Sequence, residues 1–156
     1  MIELVYQNST ADKGFKKDFF EKISNTIVKE LNLKEKSLNI SFNIVGENRI
    51  KELNRKYRHK NKVTDVLSFP MSDKPLRKLH ATSYTPQASD FGDIFICLPF
   101  AKKQAKSENI DVERKLAQLT VHGFLHLAGY DHEKSAKDAK EMFDLEGRIL
   151  NKLSVF

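Results

Sequence analysis

The spacing of hydrophobic residues in the first third of the chain predicts a strand, two helices and a second strand. Residues 2–7 are mostly apolar and predict a short strand. Apolar residues four apart in the next segment predict an amphipathic helix of about five turns, and they are Phe15, Phe19, Ile23, Ile27 and Leu31, with Phe20 and Val28 beside them. Residues 37–45 alternate and predict a strand with one buried face. Residues 47–58 return to helical spacing, with Ile50, Leu53 and Tyr57 expected to face inward.

The middle of the chain predicts two more strands separated by a polar segment. Residues 64–70 read as a strand that Pro70 closes, and residues 91–97 are apolar nearly throughout, which favours a central position in the sheet. Residues 71–90 are polar and without period, and such long segments in compact domains tend to be functional loops.

Three helices are predicted in the remainder. Pro99 is expected in the first turn of a helix that ends near Glu108. Asp111 is the expected N-cap of a helix from Val112 to about Ala128, which Gly129 ends in a left-handed conformation. Ser135 is expected to cap a last helix, whose apolar face comprises Met142, Leu145, Ile149 and Leu153, joined by Phe143 and Leu150. The prediction is a single α+β domain over residues 1–156, with about four strands in a mixed sheet and about five helices.

Composition adds a cellular setting to this fold. Cys97 is the one cysteine of the 156 residues, so an internal disulfide framework is excluded and a reducing cytosol is favoured. We find no secretory signal pattern and no run of about 18 apolar residues, so a soluble cytoplasmic protein without a membrane partner is expected.

Positive charge is concentrated in one segment. The net charge is +6, and between residues 49 and 62 a single acid, Glu52, faces seven cations. These cations are Arg49, Lys51, Arg55, Lys56, Arg58, Lys60 and Lys62. A localised excess of this size predicts a surface for a polyanion such as nucleic acid.

Three of the five histidines lie within "HGFLHLAGYDH", residues 122–132. His122 and His126 are four apart on the predicted helix, so their side chains project about 40° apart and about 6 Å along the axis. A turn at Gly129 brings His132 back towards them. Three neutral imidazoles with an open fourth position are typical of catalytic zinc, although nickel or another divalent transition metal also suits this ligand set. A lone helical histidine is more often a surface or core residue, and it is the third histidine that makes the pattern specific.

The spacing H-x-x-x-H-x-x-G-x-x-H matches the ligand pattern of metzincin proteases with one difference. Those proteases carry a glutamate after the first histidine as general base, whereas this chain has Gly123. Peptide hydrolysis by that route therefore lacks its base. Asp131 is near enough in sequence to support a histidine or to act as a base, but a neighbour so close is also an ordinary turn former. Met142 could form the floor of the site, and plain core filling is its simpler interpretation.

Three motifs in order resemble the YbeY family of bacterial rRNA-maturation endoribonucleases. They are "LNRKYRHKNKVTDVLSFP" (53–70), "GDIFI" (92–96) and "HGFLHLAGYDH" (122–132). The resemblance implies a zincin-like His-rich helix and a zinc-like metal on His122, His126 and His132. It also implies a single-strand-specific endoribonuclease of 16S rRNA 3′-end maturation and ribosome quality control. Its partners would be the 16S rRNA precursor and the small ribosomal subunit, with no DNA expected.

The resemblance also places the family's important arginine at Arg58. A guanidinium suits this role because its planar fork holds two phosphate oxygens while charge builds on phosphorus. Arg55, Lys60 and Lys62 are then expected to follow the RNA backbone with salt-sensitive affinity. Asp65 is a second expected base, or else a group that bonds backbone at the start of its strand.

Two alternatives and one mechanistic choice stay open from the sequence. The chain could be a metallohydrolase of another substrate such as a peptide, or a non-catalytic ribosome-associated factor whose zinc is structural. For RNA cleavage, the attacking group is either water activated at the metal or a ribose 2′-OH.

Overall fold

The computed structural model of the chain describes residues 2–33, 37–71 and 89–153, which form four strands and five helices. Their order is β1 (Ile2–Asn8), α1 (Lys17–Glu30), β2 (Leu38–Val45), α2 (Glu47–Arg58), β3 (Val66–Pro70), β4 (Ser89–Cys97), α3 (Leu98–Glu108), α4 (Val112–Leu127) and α5 (Ala136–Lys152).

The four strands form one mixed sheet in the order β1-β2-β4-β3. β1 and β2 run parallel to their neighbours, whereas β3 pairs antiparallel with β4. The apolar strand β4 is therefore interior, with β3 and β1 at the edges. The predicted α+β class, the mixed sheet and the central position of β4 are confirmed.

The two faces of the sheet carry different helices. One face, with Ile94 and Ile96 of β4, belongs to the main core that α1, α4 and α5 cover. The other face carries a smaller cluster in which Ile50 and Leu53 of α2 pack with Leu67 of β3. Successive residues of a strand point to opposite faces, so α2 and α4 lie on opposite sides of the sheet.

Several predicted boundaries shift by one or two residues. Helix α1 begins at Lys17, after Phe15, and Leu31 follows its last turn as the C-cap. Strand β3 begins at Val66 rather than at residue 64. The Asp65 carbonyl still accepts the Cys97 N–H at 2.8 Å, and the Asp65 carboxylate accepts the Val66 N–H at 2.7 Å. Helix α4 ends at Leu127 rather than Ala128, which is its C-cap.

The predicted polar segment 71–90 falls mostly outside the described residues. Residues 72–88 lie there, so the expectation of a structureless loop is not addressed for them. At its C-terminal end the prediction was wrong, since Ser89 and Asp90 already belong to β4 and pair with Leu38 and Asn39.

Two aromatic residues predicted to face inward are exposed. Tyr57 on α2 is 56% exposed and Phe143 on α5 is 52% exposed. Each stands at the border of its helix's apolar stripe and packs against one aromatic ring: Tyr57 against Phe69 and Phe143 against His132. Helical spacing alone does not distinguish a residue at the border of the apolar stripe from a residue on the buried face.

The predicted helix starts are confirmed in position. Pro99 lies in the first turn of α3, and Asp111 and Ser135 are the N-cap residues of α4 and α5. Ser135 accepts the Asp138 N–H at 3.1 Å, whereas Asp111 caps by position alone, without a side-chain hydrogen bond.

Gly92 is the glycine on which the packing of β4 depends most directly. Its φ is +146°, and a Cβ there would lie 2.4 Å from the Phe69 carbonyl oxygen and 2.8 Å from Leu127 Cδ2. We expect Gly92→Ala to lower the free energy of unfolding by about 3 kcal/mol, combining backbone strain with this contact.

Urea denaturation measures the effect, with Gly147→Ala on α5 as the matched control. No atom lies within 4 Å of a Cβ at Gly147, and replacing a helical glycine by alanine stabilises by up to about 1 kcal/mol. Similar changes in the free energy of unfolding of the two variants would contradict the proposed dependence of β4 packing on Gly92.

Candidate metal centre

Helix α4 packs closely against the sheet at Gly123. A Cβ at this position would lie 3.1 Å from Ser68 Oγ and 3.3 Å from Ile94 Cγ2. The Ser68 hydroxyl donates to the Gly123 carbonyl oxygen at 3.0 Å, which ties the helix to β3. With Gly123 facing the sheet, His122 and His126 lie on the flank of α4 that borders α5.

His122 and His126 face each other as the four-residue spacing predicts. Their ring centroids are 4.6 Å apart, and their Nε2 atoms lie at 3.1 Å. Both side chains are partly buried, so each is held by protein on one side and accessible on the other.

The chain reverses after α4 through a paired hydrogen-bond motif. Gly129 has φ +96°, its N–H donates to the His126 carbonyl, and the Tyr130 N–H donates to the Leu125 carbonyl. These two bonds define a Schellman C-cap. The turn returns His132 to the pair, with its ring centroid 5.3 Å from those of both His122 and His126. The predicted convergence is confirmed: one nitrogen from each ring lies within 4.8 Å of the others.

Glu146 of α5 supports the cluster and was not anticipated from the sequence. Its Oε1 lies 2.6 Å from His122 Nδ1. A carboxylate here fixes the proton on Nδ1 and leaves the Nε2 lone pair free, which is the usual arrangement behind a metal-binding histidine. The signal was present, because Glu146 stands four residues after Met142 and three before Ile149, an acid within an apolar stripe.

Met142 and Phe143 of α5 differ in their burial. Met142 is fully buried in the main core, in agreement with the core-filling interpretation. Phe143 places its ring centroid 5.9 Å from that of His132 and remains half exposed, so it forms an apolar rim beside the third histidine.

The donor set fits a divalent transition metal. Burial lowers the pKa of His126, and His122 and His132 lower it further, so the neutral imidazole that a metal requires is favoured. His132 Nδ1 is buried and has no hydrogen-bond partner among the described residues. Two nitrogens on one tetrahedral zinc lie about 3.3 Å apart, close to the 3.1 Å between His122 and His126.

The two predicted aspartates bond to backbone. Asp131 Oδ1 accepts the Glu133 N–H at 2.8 Å and so shapes the turn that carries His132. Asp65 Oδ1 accepts the Val66 N–H, and its Oδ2 accepts from Gln104 Nε2 at 3.1 Å. The structure thus gives both carboxylates backbone partners. Asp131 is also close enough to His126 for its charge to raise the pKa of that histidine, against the larger lowering by burial.

The predicted cations lie at the end of α2, across the sheet from α4. Arg58 is the last residue of the helix, and Arg55, Lys60 and Lys62 are exposed like it. Asn54 fixes the chain beyond the helix, since its side-chain amide donates to the Lys62 carbonyl at 2.9 Å. The structure therefore groups these cations with one another rather than with the histidines.

Comparison with known proteins points in one direction. The chain matches the family model described as "Endoribonuclease YbeY" over residues 4–154. A protein of that name from Persephonella marina is 35% identical, with 98% of this chain and 94% of that protein covered. Another from a Sulfurihydrogenibium species is 40% identical, with 91% and 86% covered. The solution structure of TM1509 from Thermotoga maritima superposes with a TM-score of 0.61 at 28% identity, covering 96% of this chain and 87% of that one.

The contact between Glu146 and His122 predicts a specific effect on metal affinity. We expect Glu146→Gln to weaken zinc binding by about 10–100-fold, because an amide no longer holds the required proton on Nδ1 as firmly. Competition with a chromophoric chelator measures the affinity directly.

Asp144→Asn is the matched control on the same helix. It removes one carboxylate charge, but its partner is the exposed Lys140 at 3.0 Å. Equal weakening in both variants would show that Glu146 acts only through overall charge.

Proposed function

The chain belongs to the YbeY family, and on that premise we propose that it is a zinc-dependent, single-strand-specific endoribonuclease. Residues 1–156 would act as one domain in 3′-end maturation of 16S rRNA and in ribosome quality control. The observation that supports this most directly is the convergence of three histidines in a chain that matches the family over residues 4–154.

We propose His122, His126 and His132 as the metal ligands, with Glu146 holding the proton of His122 Nδ1. A bound divalent metal supplies Lewis-acid stabilisation of developing phosphoryl charge and lowers the pKa of bound water. The neutral state of His126, which its burial favours, suits this role. Zinc agrees with an all-histidine set, and nickel fits the same donors.

We propose that Arg58, the position of the family's important arginine, contributes to cleavage by binding a phosphate of the RNA substrate. Its guanidinium is exposed at the end of α2 and has no ion-pair partner among the residues that the structure describes. A free planar fork can donate two hydrogen bonds to one phosphate. Because α2 and the histidines lie on opposite faces of the sheet, we assign Arg58 to a phosphate away from the metal. Arg55, Lys60 and Lys62 would contact neighbouring phosphates of the backbone.

Peptide hydrolysis is disfavoured by the position of Gly123 as well as by its identity. A Cβ at Gly123 would lie 3.1 Å from Ser68 Oγ and 3.3 Å from Ile94 Cγ2, closer than ordinary van der Waals contact, so a glutamate side chain there would meet the sheet before it reached substrate. RNA is therefore the substrate that we propose. Among the described helices, none is long and apolar enough to cross a membrane.

The chemical form of the product RNA ends identifies the nucleophile. A 2′,3′-cyclic phosphate follows from attack by the ribose 2′-OH, whereas attack by water leaves a linear phosphate. Mass spectrometry of a short cleaved oligonucleotide distinguishes the two, and neither result changes the proposed ligands.

Loss of one histidine is expected to remove metal and cleavage without unfolding the chain. In His126→Ala we expect zinc content to fall below one per chain and single-stranded RNA cleavage to be lost, while circular dichroism stays native because the main core excludes the histidines. Zinc analysis, an RNA cleavage assay and thermal melting provide the readouts. Collapse of the melting transition would indicate a structural metal, and cleavage of unstructured peptide by the zinc-loaded wild type would indicate a peptidase.

Arg58→Ala is expected to lower kcat/KM for single-stranded RNA by about a hundredfold, because one bidentate, charge-assisted contact to a substrate phosphate is lost. Metal content should be unchanged, since α2 lies on the opposite face of the sheet from α4. Arg49→Ala is the matched control, because Arg49 is on the same helix but pairs with Glu52 at 3.6 Å. Equal activity of the two variants would remove Arg58 from the mechanism.

A further inference from the structure

Tyr57 is an exposed aromatic residue held at a fixed orientation. Its side chain is 56% exposed, and its ring packs edge-on against Phe69 with 5.3 Å between centroids. Phe69 is in turn packed edge-on against Phe95 at 5.7 Å. In an edge-to-face pair the edge of one ring meets the face of the other, so Phe69 holds the Tyr57 side chain against the sheet while more than half of the residue's surface is exposed.

The backbone around Tyr57 is also fixed. His59 ends α2 in a left-handed conformation with φ +58°, and its N–H donates to the Asn54 carbonyl. The Lys60 N–H donates to the same carbonyl at 3.2 Å, and the buried Asn54 side chain donates to the Lys62 carbonyl. These hydrogen bonds therefore fix the backbone on both sides of Tyr57 in the absence of a ligand.

The surroundings of Tyr57 are strongly positive. Lys56, Arg58, Lys60 and Lys62 are all exposed. Lys56 Nζ lies over the Tyr57 ring, 5.3 Å from its centre, so a base that stacks on that face would displace this exposed ammonium. A hydrophobic protein partner would bury these cations at a cost. A polyanion that also carries flat apolar rings pairs with both features, and single-stranded nucleic acid is such a ligand.

Strand β3 contacts both α4 and the Tyr57 side chain. Ser68 donates to the Gly123 carbonyl of α4, and the next residue, Phe69, packs against Tyr57. Successive residues of a strand point to opposite faces, so the two contacts are made on opposite faces of this edge strand. A strand of RNA that crosses the edge of the sheet would pass from the face with Tyr57 to the face with α4.

We propose that Tyr57 is a stacking platform for one unpaired base of single-stranded RNA, with Lys56 and Arg58 on the adjoining phosphates. The proposal rests on the endoribonuclease function above and adds to it a reason for single-strand selectivity. A duplex keeps its bases stacked on one another, so it has no free face to offer to Tyr57.

The test uses a short single-stranded RNA with one 2-aminopurine, whose fluorescence is quenched by stacking. Binding is measured by anisotropy and quenching with wild type, Tyr57→Phe and Tyr57→Leu, each without metal so that the RNA stays intact. We expect Tyr57→Phe to bind and quench like wild type. Tyr57→Leu should bind about tenfold more weakly, because leucine keeps apolar volume but has no aromatic face.

Salt titration and a duplex form of the same RNA separate stacking from charge. The salt slope should be unchanged in Tyr57→Leu and shallower in Lys56→Ala, since the lysine contacts phosphate and the tyrosine does not. Duplex affinity should not respond to Tyr57→Leu. Equal melting temperatures of the variants establish that each is folded.

The outcomes distinguish this proposal from the function on which it depends. If wild type cleaves RNA but Tyr57→Leu binds single strands as tightly as wild type, the stacking proposal is wrong and the proposed endoribonuclease function is unaffected. Contact with a protein would then be the remaining explanation for the exposed Tyr57. Equal loss for single strand and duplex would also overturn the platform. If wild type neither binds nor cleaves single-stranded RNA, both proposals fail together.

Discussion

The close approach of α4 to the sheet at Gly123 determines how the rest of the candidate site is arranged. With only 3.1 Å from a Cβ position to Ser68 Oγ, a larger residue would push the helix outwards or rotate it. The hydrogen bond from Ser68 to the Gly123 carbonyl holds the helix at this distance. Because the rotation of α4 is fixed in this way, His122 is directed towards α5, where Glu146 meets its Nδ1. Ligand geometry here is thus a consequence of helix–sheet packing.

The histidine cluster could be predicted because its geometry is local. The period of a helix aligns His122 with His126, and a glycine that adopts a positive φ allows the reversal that returns His132. All three residues lie within eleven positions, and the hydrogen bonds of the turn, from Gly129 and Tyr130 to carbonyls of α4, are local as well. The mixed sheet and its central strand were predictable for a similar reason, since alternation and continuous apolarity report which strands are covered.

The parts that were missed depend on contacts distant in sequence. Glu146 supports His122 from 24 positions away, and only the packing of α5 on α4 brings them together. Tyr57 and Phe143 were assigned to buried faces because helical spacing includes border positions, and the tertiary neighbours decide whether a border ring is covered. The Asp65 carboxylate accepts the backbone N–H of Val66 at the start of β3, a local side-chain contact that the alternation of apolar residues does not reveal.

Strand β3 links the two surfaces that the proposed function requires. Ser68 and Phe69 are consecutive, so their side chains point to opposite faces of the sheet. Ser68 holds α4 and with it the histidines, while Phe69 props Tyr57 beside the basic end of α2. Strand β3 is an edge strand of five residues paired only with β4 among the described strands, and it lies between these two surfaces. A substrate strand that crosses this edge would meet an aromatic and cationic surface on one side and the face that carries the proposed metal ligands on the other.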